Sequence, residues 1–206
     1  MVKIQYFVDK AKAERDAAAG PSAGENPICA SNGEVGTRPR TSHSISKFAS
    51  VANAGCGVTF NLGGPKVEFL ASPEESAYWV MKGTLPARVS VPLHSHGDAE
   101  SFYLISGEVQ FLAPTTSGLQ WKTLRPGDFV HIPSDVKHAW RNLSTNPAEV
   151  LCATTPRLGR FLCEVGQFVR ASGTDGVLNK LKSLSESYGY WMGSPQENAD
   201  VGIALR

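Results

Sequence analysis

An all-β sandwich or barrel, preceded by an irregular arm and followed by an amphipathic helix, is the fold that these 206 residues predict. Three observations carry this reading. The middle of the chain breaks into short runs in which apolar and polar side chains alternate, which gives a strand one apolar face. Glycine, proline, asparagine or serine falls between most of those runs, and these are the residues that turn a chain. One later stretch changes to helical spacing.

The elements follow in order. Residues 1–45 open with a candidate short helix in "DKAKAERDAAAG", from Asp9, and continue through "PSAGENPICASNGEVGTRPRTSHS". That composition buries little, so an arm or a long irregular segment is expected there. Residues 46–170 hold the strands. "GVTFNL" alternates Val58, Phe60 and Leu62, and "RVSVPL" alternates Val89, Val91 and Leu93. "KVEFL", "AYWVM", "SFYLI", "EVQFL", "WKTL", "DFVHIP", "AWRNL" and "EVLCAT" continue the series. In residues 171–206, Val177, Leu178, Leu181, Leu184 and Tyr188 recur at helical spacing. Thr174 is placed to cap that helix and Gly189 to stop it, and the helix is expected to cover an open face of the barrel.

Composition excludes several functions. Charged residues are 19% and the net charge is +1, so no basic field draws nucleic acid or an anionic membrane surface. No apolar run is long enough to span a bilayer. The first residues, "MVKIQYFVDKAKAERD", carry charge where a secretory leader would be apolar, and a cytoplasmic protein is expected. Cys29, Cys56, Cys152 and Cys163 have no metal-site spacing and read as reduced thiols.

The chemistry concentrates in "VPLHSHGDAESFYLISGEVQFL". His94 and His96 are two residues apart on a strand, so both point to one face. "GDA" makes a short loop, and Glu100 opens the next strand, from which it can meet the histidines from beside. Two imidazoles and a carboxylate suit a first-row divalent metal. A fourth ligand must come from elsewhere: His43, His131 or His138. His138 is preferred because the turn "PSDVK" presents it at the mouth of a strand pair. His131, mid-strand, is a candidate pocket residue, and His43 reads as a solvated histidine of the arm.

These residues resemble the cupins. That family's first motif runs Gly, five residues, His-x-His, three or four residues, Glu, six residues, Gly, and "HSHGDAESFYLISG" supplies His94, His96, Glu100 and Gly107. Its second motif runs Gly, five residues, Pro-x-Gly, two residues, His, three residues, Asn, and "GDFVHIPSDVKHAWRN" supplies Gly127, Pro133, His138 and Asn142. Arg88 and Asp135 stand where the motifs have glycine. The resemblance implies a double-stranded β-helix, or jelly-roll barrel. It implies one divalent transition metal per chain (Fe, Mn, Ni, Co or Zn) held by His94, His96, Glu100 and His138.

"SFYLISGEVQFL", "TTPRLGRFLCEVGQF" and "LSESYGYWMGSP" further resemble small single-domain bacterial cupins similar to quercetin dioxygenases. That likeness implies a metal-dependent dioxygenase acting on a phenolic, enolic or diketone-like molecule, with Glu100 accepting the substrate's acidic proton. A metal-dependent isomerase or lyase and a non-enzymatic small-ligand binder are the alternatives. Partners are then a small organic substrate and dioxygen, and a second copy in a homodimer. Phe102 and Leu104 share the inward face of Glu100, and Trp140 and Arg88 are further pocket candidates, Arg88 for a substrate carboxylate. Phe60, Tyr78 and Trp79 are aromatic candidates of undetermined facing.

Overall fold

The computed structural model describes residues 51–71 and 78–205. The expected arm, its short helix from Asp9, and His43 lie outside the described residues.

Alternating side chains fold as two facing antiparallel sheets. The first runs in the order β1 (Val58–Asn61), β2 (Lys66–Phe69), β3 (Trp79–Leu85), β10 (Ala148–Thr154), β5 (Glu100–Ser106) and β8 (Phe129–Ile132). The second runs β11 (Trp191–Met192), β4 (Ser90–Ser95), β9 (His138–Arg141), β6 (Val109–Thr115) and β7 (Gly118–Leu124). This is the jelly-roll barrel. Its core joins inward residues of both sheets, among them Leu104, Val109, Leu124, Ile132 and Trp140. The pleat decides the rest. Along β5, Glu100 and Leu104 are buried while Tyr103 and Ile105 are exposed.

After the last barrel strand, where the sequence predicts one helix, the described residues form three. α1 (Pro156–Ser172) begins at Thr155, whose Oγ1 accepts from Leu158 N at 3.3 Å, with Pro156 in the first turn. Two glycines let α1 lie tightly on the barrel. A Cβ at Gly159 would sit 2.1 Å from Trp79 Cε3, and one at Gly166 would sit 2.4 Å from Phe60 Cβ. α2 (Val177–Tyr188) starts from Gly176 with no side-chain cap, rather than from the Thr174 side chain. Thr174 serves through its carbonyl, which accepts from Val177 N at 3.2 Å. Leu158, Phe161, Val165, Leu184 and Tyr190 pack as the core shared by these helices and the segment that follows them.

The tail then returns to the barrel. β11 pairs with β4, Met192 opposite His94 and Trp191 opposite Ser95. α3 (Pro195–Asp200) carries Asn198, fully buried, whose Oδ1 accepts from Leu93 N at 2.9 Å. Its Nδ2 donates to the carbonyls of Gly193 and Ser194. The tail therefore braces the strand that carries two histidines. Cys56 is an exposed and Cys152 a buried free thiol. Cys163 is disulfide-bonded, against the expectation of reduced cysteines throughout.

Candidate metal centre

His94 points into the barrel from β4, His96 lies one residue past its end, and His138, the first residue of β9, pairs directly with His94. The imidazole centroids lie 4.1 Å apart for His94 and His138, 5.2 Å for His96 and His138, and 5.5 Å for His94 and His96. One nitrogen from each of the three falls within 4.8 Å of the others.

Glu100 reaches the cluster differently from the sequence expectation. β4 and β5 belong to opposite sheets, so the loop between them carries the chain across the barrel. Glu100 faces the histidines from the opposing sheet rather than from beside. Its Oε2 lies 3.5 Å from His96 Nε2 and 3.4 Å from His138 Nε2.

The backbone sets the histidine tautomers. His94 Nδ1 donates to Pro92 O at 2.7 Å, His96 Nδ1 to Asp98 O at 2.8 Å, and His138 Nδ1 to Val136 O at 2.8 Å. With the proton on Nδ1, each Nε2 presents a lone pair inward. His96 Nε2 and His138 Nε2 are buried and have no hydrogen-bond partner. Buried acceptors facing a carboxylate oxygen without a hydrogen between them are costly. A cation among them removes that cost, so the donor set fits a transition ion held by three imidazoles and one carboxylate.

The electrostatics are those of a coupled site. Burial first, and the neighbouring His138 and His96 next, push His94 down to about 3. Burial alone would raise Glu100, but the imidazoles of His138 and His96, 3.4 and 3.5 Å from its Oε2, outweigh it and hold the carboxyl at about 2. For His96, burial acts downward, and the facing Glu100 carboxylate carries the net shift upward.

Four residues with no role in the sequence reading hold the loop behind His96. The buried Asp98 carboxylate accepts from Thr155 Oγ1, Tyr190 OH and Arg157 Nη1, the last at 3.1 Å. Burial would raise Asp98, yet the bonds from Thr155 and Tyr190 and the Arg157 charge hold it below the ordinary carboxylate value. The Tyr190 ring lies 5.3 Å from that of His96. Thr155 followed by Pro156 was a legible start of a helix. Its link to Asp98 had no local signal.

A cavity of about 540 Å³ opens beside the cluster. His94, His96, Glu100 and His138 line one end, and Arg88, Phe102 and Trp140 line it elsewhere. Leu104 lies in the core beneath rather than in the cavity wall. His131 faces outward. Glu100 pairs with Ile132, which is buried, so the preceding residue takes the other face, where His131 Nδ1 lies 3.0 Å from Ser101 Oγ. Phe60 and Trp79 are buried against Phe69 and against α1, outside the cavity, and Tyr78 is exposed. Asn142 stays structural: its Nδ2 donates to Leu85 O at 3.0 Å and to Asn146 O at 2.8 Å. Arg88 and Asp135, which replace motif glycines, are the two non-glycine residues with positive φ among those described, at 63° and 66°.

Comparison with known proteins agrees with this architecture. Residues 72–154 match the family model of the cupin domain. Among solved structures, the DMSP lyase DddQ from Ruegeria pomeroyi is 28% identical over 38% of this chain and 38% of its own, with a TM-score of 0.34. An RmlC-like cupin from Shewanella frigidimarina is 17% identical over 53% of this chain and 92% of its own, with a TM-score of 0.45. The polyketide cyclase RemF from Streptomyces resistomycificus is 13% identical over 53% of this chain and 80% of its own, with a TM-score of 0.48. No curated protein matches the sequence. No helix among the described residues is long and apolar enough to cross a membrane.

Proposed function

We propose that this protein is a metal-dependent cupin dioxygenase, similar to quercetin dioxygenases, acting on a phenolic, enolic or diketone-like small molecule. The observation that carries the reading is a largely apolar, aromatic-lined cavity ending on three convergent imidazoles and a buried carboxylate. A divalent ion held by His94, His96, His138 and Glu100 would supply Lewis acidity and a template for substrate and dioxygen.

The chain's own residues do the rest. Phe102 and Trp140, with ring centroids 4.8 Å apart, present an aromatic wall that orients a planar substrate and excludes water. Glu100 uses Oε2 toward His96 and His138, and no donor among the described residues bonds its Oε1. That oxygen accepts the proton of the substrate's O–H. A carboxylate held at about 2 is ionised at any working pH but is a weak base. A bound ion would acidify the O–H of a phenol, enol or 1,3-diketone, the substrate class proposed, and so bring its proton within reach of so weak a base.

Oxygen uptake by metal-loaded protein against a panel of such compounds tests this. Uptake is expected with at least one, and Glu100→Ala is expected to reduce it by about a hundredfold or more. Turnover that proceeds equally without oxygen would replace the dioxygenase with an isomerase or lyase. We also propose a homodimer, supported by the exposed apolar row Leu151, Tyr103 and Phe129 on adjacent strands.

A further inference from the structure

The cavity that ends on the histidines has a second end of different chemistry. On β4, Ser90, Val91, Pro92 and His94 all line it, and Ser90 and His94 are roughly 13 Å apart at about 3.3 Å per residue. Arg88 lies two residues beyond Ser90. The opposite sheet repeats this direction. Glu100 is level with Thr154, which pairs with Trp79 at one end of β3, whereas Lys66 pairs with Thr84 near the other end.

Arg88 and Lys66 lie on neighbouring segments at that far end. The turn after β3 is closed by Val89 N on Pro86 O at 3.3 Å, and a Cβ on Gly64, two residues before Lys66, would lie 3.1 Å from Val89 Cγ1. Both cations line the cavity, both are exposed, and neither pairs with a carboxylate among the described residues. The carboxylate that lines the cavity, Glu100, is at the histidine end. Between the two ends the walls are Leu85, Val91, Phe102, Val109, Trp140 and Val150.

Arg88 adds a second, independent observation. It holds φ at 63°, where a glycine is unstrained and an arginine is not. The cupin motif has glycine at this position. A side chain kept at a strained turn, on the rim of a cavity and without a carboxylate partner among the described residues, points to a role outside folding.

We propose that Arg88 and Lys66 form an anion subsite, so that the cavity takes an elongated amphipathic carboxylate. Its apolar or aromatic body fills the middle, its carboxylate sits at the mouth on Arg88 and Lys66, and its reacting group lies at the histidines. Arg88 supplies the planar fork that grips a carboxylate, and Lys66 a second, mobile charge. The proposal rests on reading this cavity as the substrate site, but it does not depend on the reaction.

The test compares 1-pyrenebutyrate with its uncharged methyl ester, by fluorescence titration of the full chain. The acid is expected to bind more tightly than the ester, and 0.5 M salt is expected to narrow the gap. Arg88→Gly is expected to weaken the acid about tenfold or more, as for loss of a hydrogen bond to a charged group, and to leave the ester within about twofold. Because glycine suits the turn, the same variant is expected to melt no lower than wild type. Arg88→Lys should recover part of the loss, and Lys66→Ala should cost less than Arg88→Gly. A wild type that binds acid and ester equally, or Arg88→Gly losses equal for both probes, would overturn the anion subsite. Charge-selective binding with no oxygen uptake across the panel of phenols, enols and diketones would overturn the dioxygenase and leave the subsite standing.

Discussion

The two ends of the cavity are built on opposite principles. At the histidine end each imidazole is fixed from behind. Three Nδ1 atoms bond carbonyls, Asp98 ties the His96 loop to α1 and to Tyr190, and Asn198 pins the backbone of Leu93. At the mouth, Arg88 and Lys66 are exposed, and no described side chain holds either. The difference matches what each end must do. A metal needs ligands preset to within a few tenths of an ångström, and orphaned nitrogens are tolerable only where an ion satisfies them. A carboxylate at a solvent-open rim needs charge and reach, and long mobile side chains provide both.

The largest effect should come from breaking the fixed end. In His96→Ala, metal content is expected to fall from near one ion per chain to near none, measured by plasma mass spectrometry on untagged protein. Pyrenebutyrate binding should persist in the same variant, because the mouth is separate. Loss of both together would mean that the two ends are one cooperative unit. A wild type that holds no metal even after reconstitution would end the metalloenzyme reading.

The fixed end was also the more legible one in the sequence. His-x-His on a strand sends both rings to one face by parity alone, and His138 follows a turn that delivers it to the adjacent strand. Parity gave Glu100 its facing but not its sheet, because a short loop can join neighbours in one sheet or cross between two. His131 illustrates the same limit: only the register with β5 tells in from out. α1 was readable in principle from Leu158, Phe161, Leu162, Val165 and Val169 after Thr155-Pro156. Gly159 and Gly166 weaken a helical reading locally, and their reason is tertiary, the faces of Trp79 and Phe60. Asp98 and Tyr190 are 92 residues apart, and no periodicity connects them.

A smaller effect should follow from loosening the support while leaving the ligands in place. Asp98→Asn keeps the shape and removes the charge that Arg157, Thr155 and Tyr190 share. Metal affinity, read by competition with a chelating dye, is expected to fall about tenfold, the lower part of the range for residues behind a ligand. Tyr190→Phe removes one donor and should cost less. If either variant melts lower but binds metal as tightly as wild type, the network is structural only. The contrast with Arg88→Gly is then the sharper for it, because that change should lose ligand without losing stability.

The smallest effect belongs to the outermost brace. Ser194 Oγ accepts from Glu197 N at 3.2 Å, and the Glu197 carboxylate accepts from Ser194 N at 2.8 Å, closing both ends of the first turn of α3. The backbone bond from Ser194 first, and its side chain second, hold Glu197 below its ordinary 4.5. A carboxyl depressed on folding stabilises the native state fully above its unfolded value and loses that contribution as pH falls through its folded value. Glu197→Gln is therefore expected to lower the melting temperature at pH 7 by only about 1–2 °C, as an exposed group should. At pH 3 the gap between variant and wild type should shrink, because the wild-type carboxyl is then losing its charge. An equal gap at both values would mean that the box acts by shape and not by charge. A gap several times larger at pH 7 would mean that α3, through Asn198 and Leu93, carries more of the histidine strand than its six residues suggest.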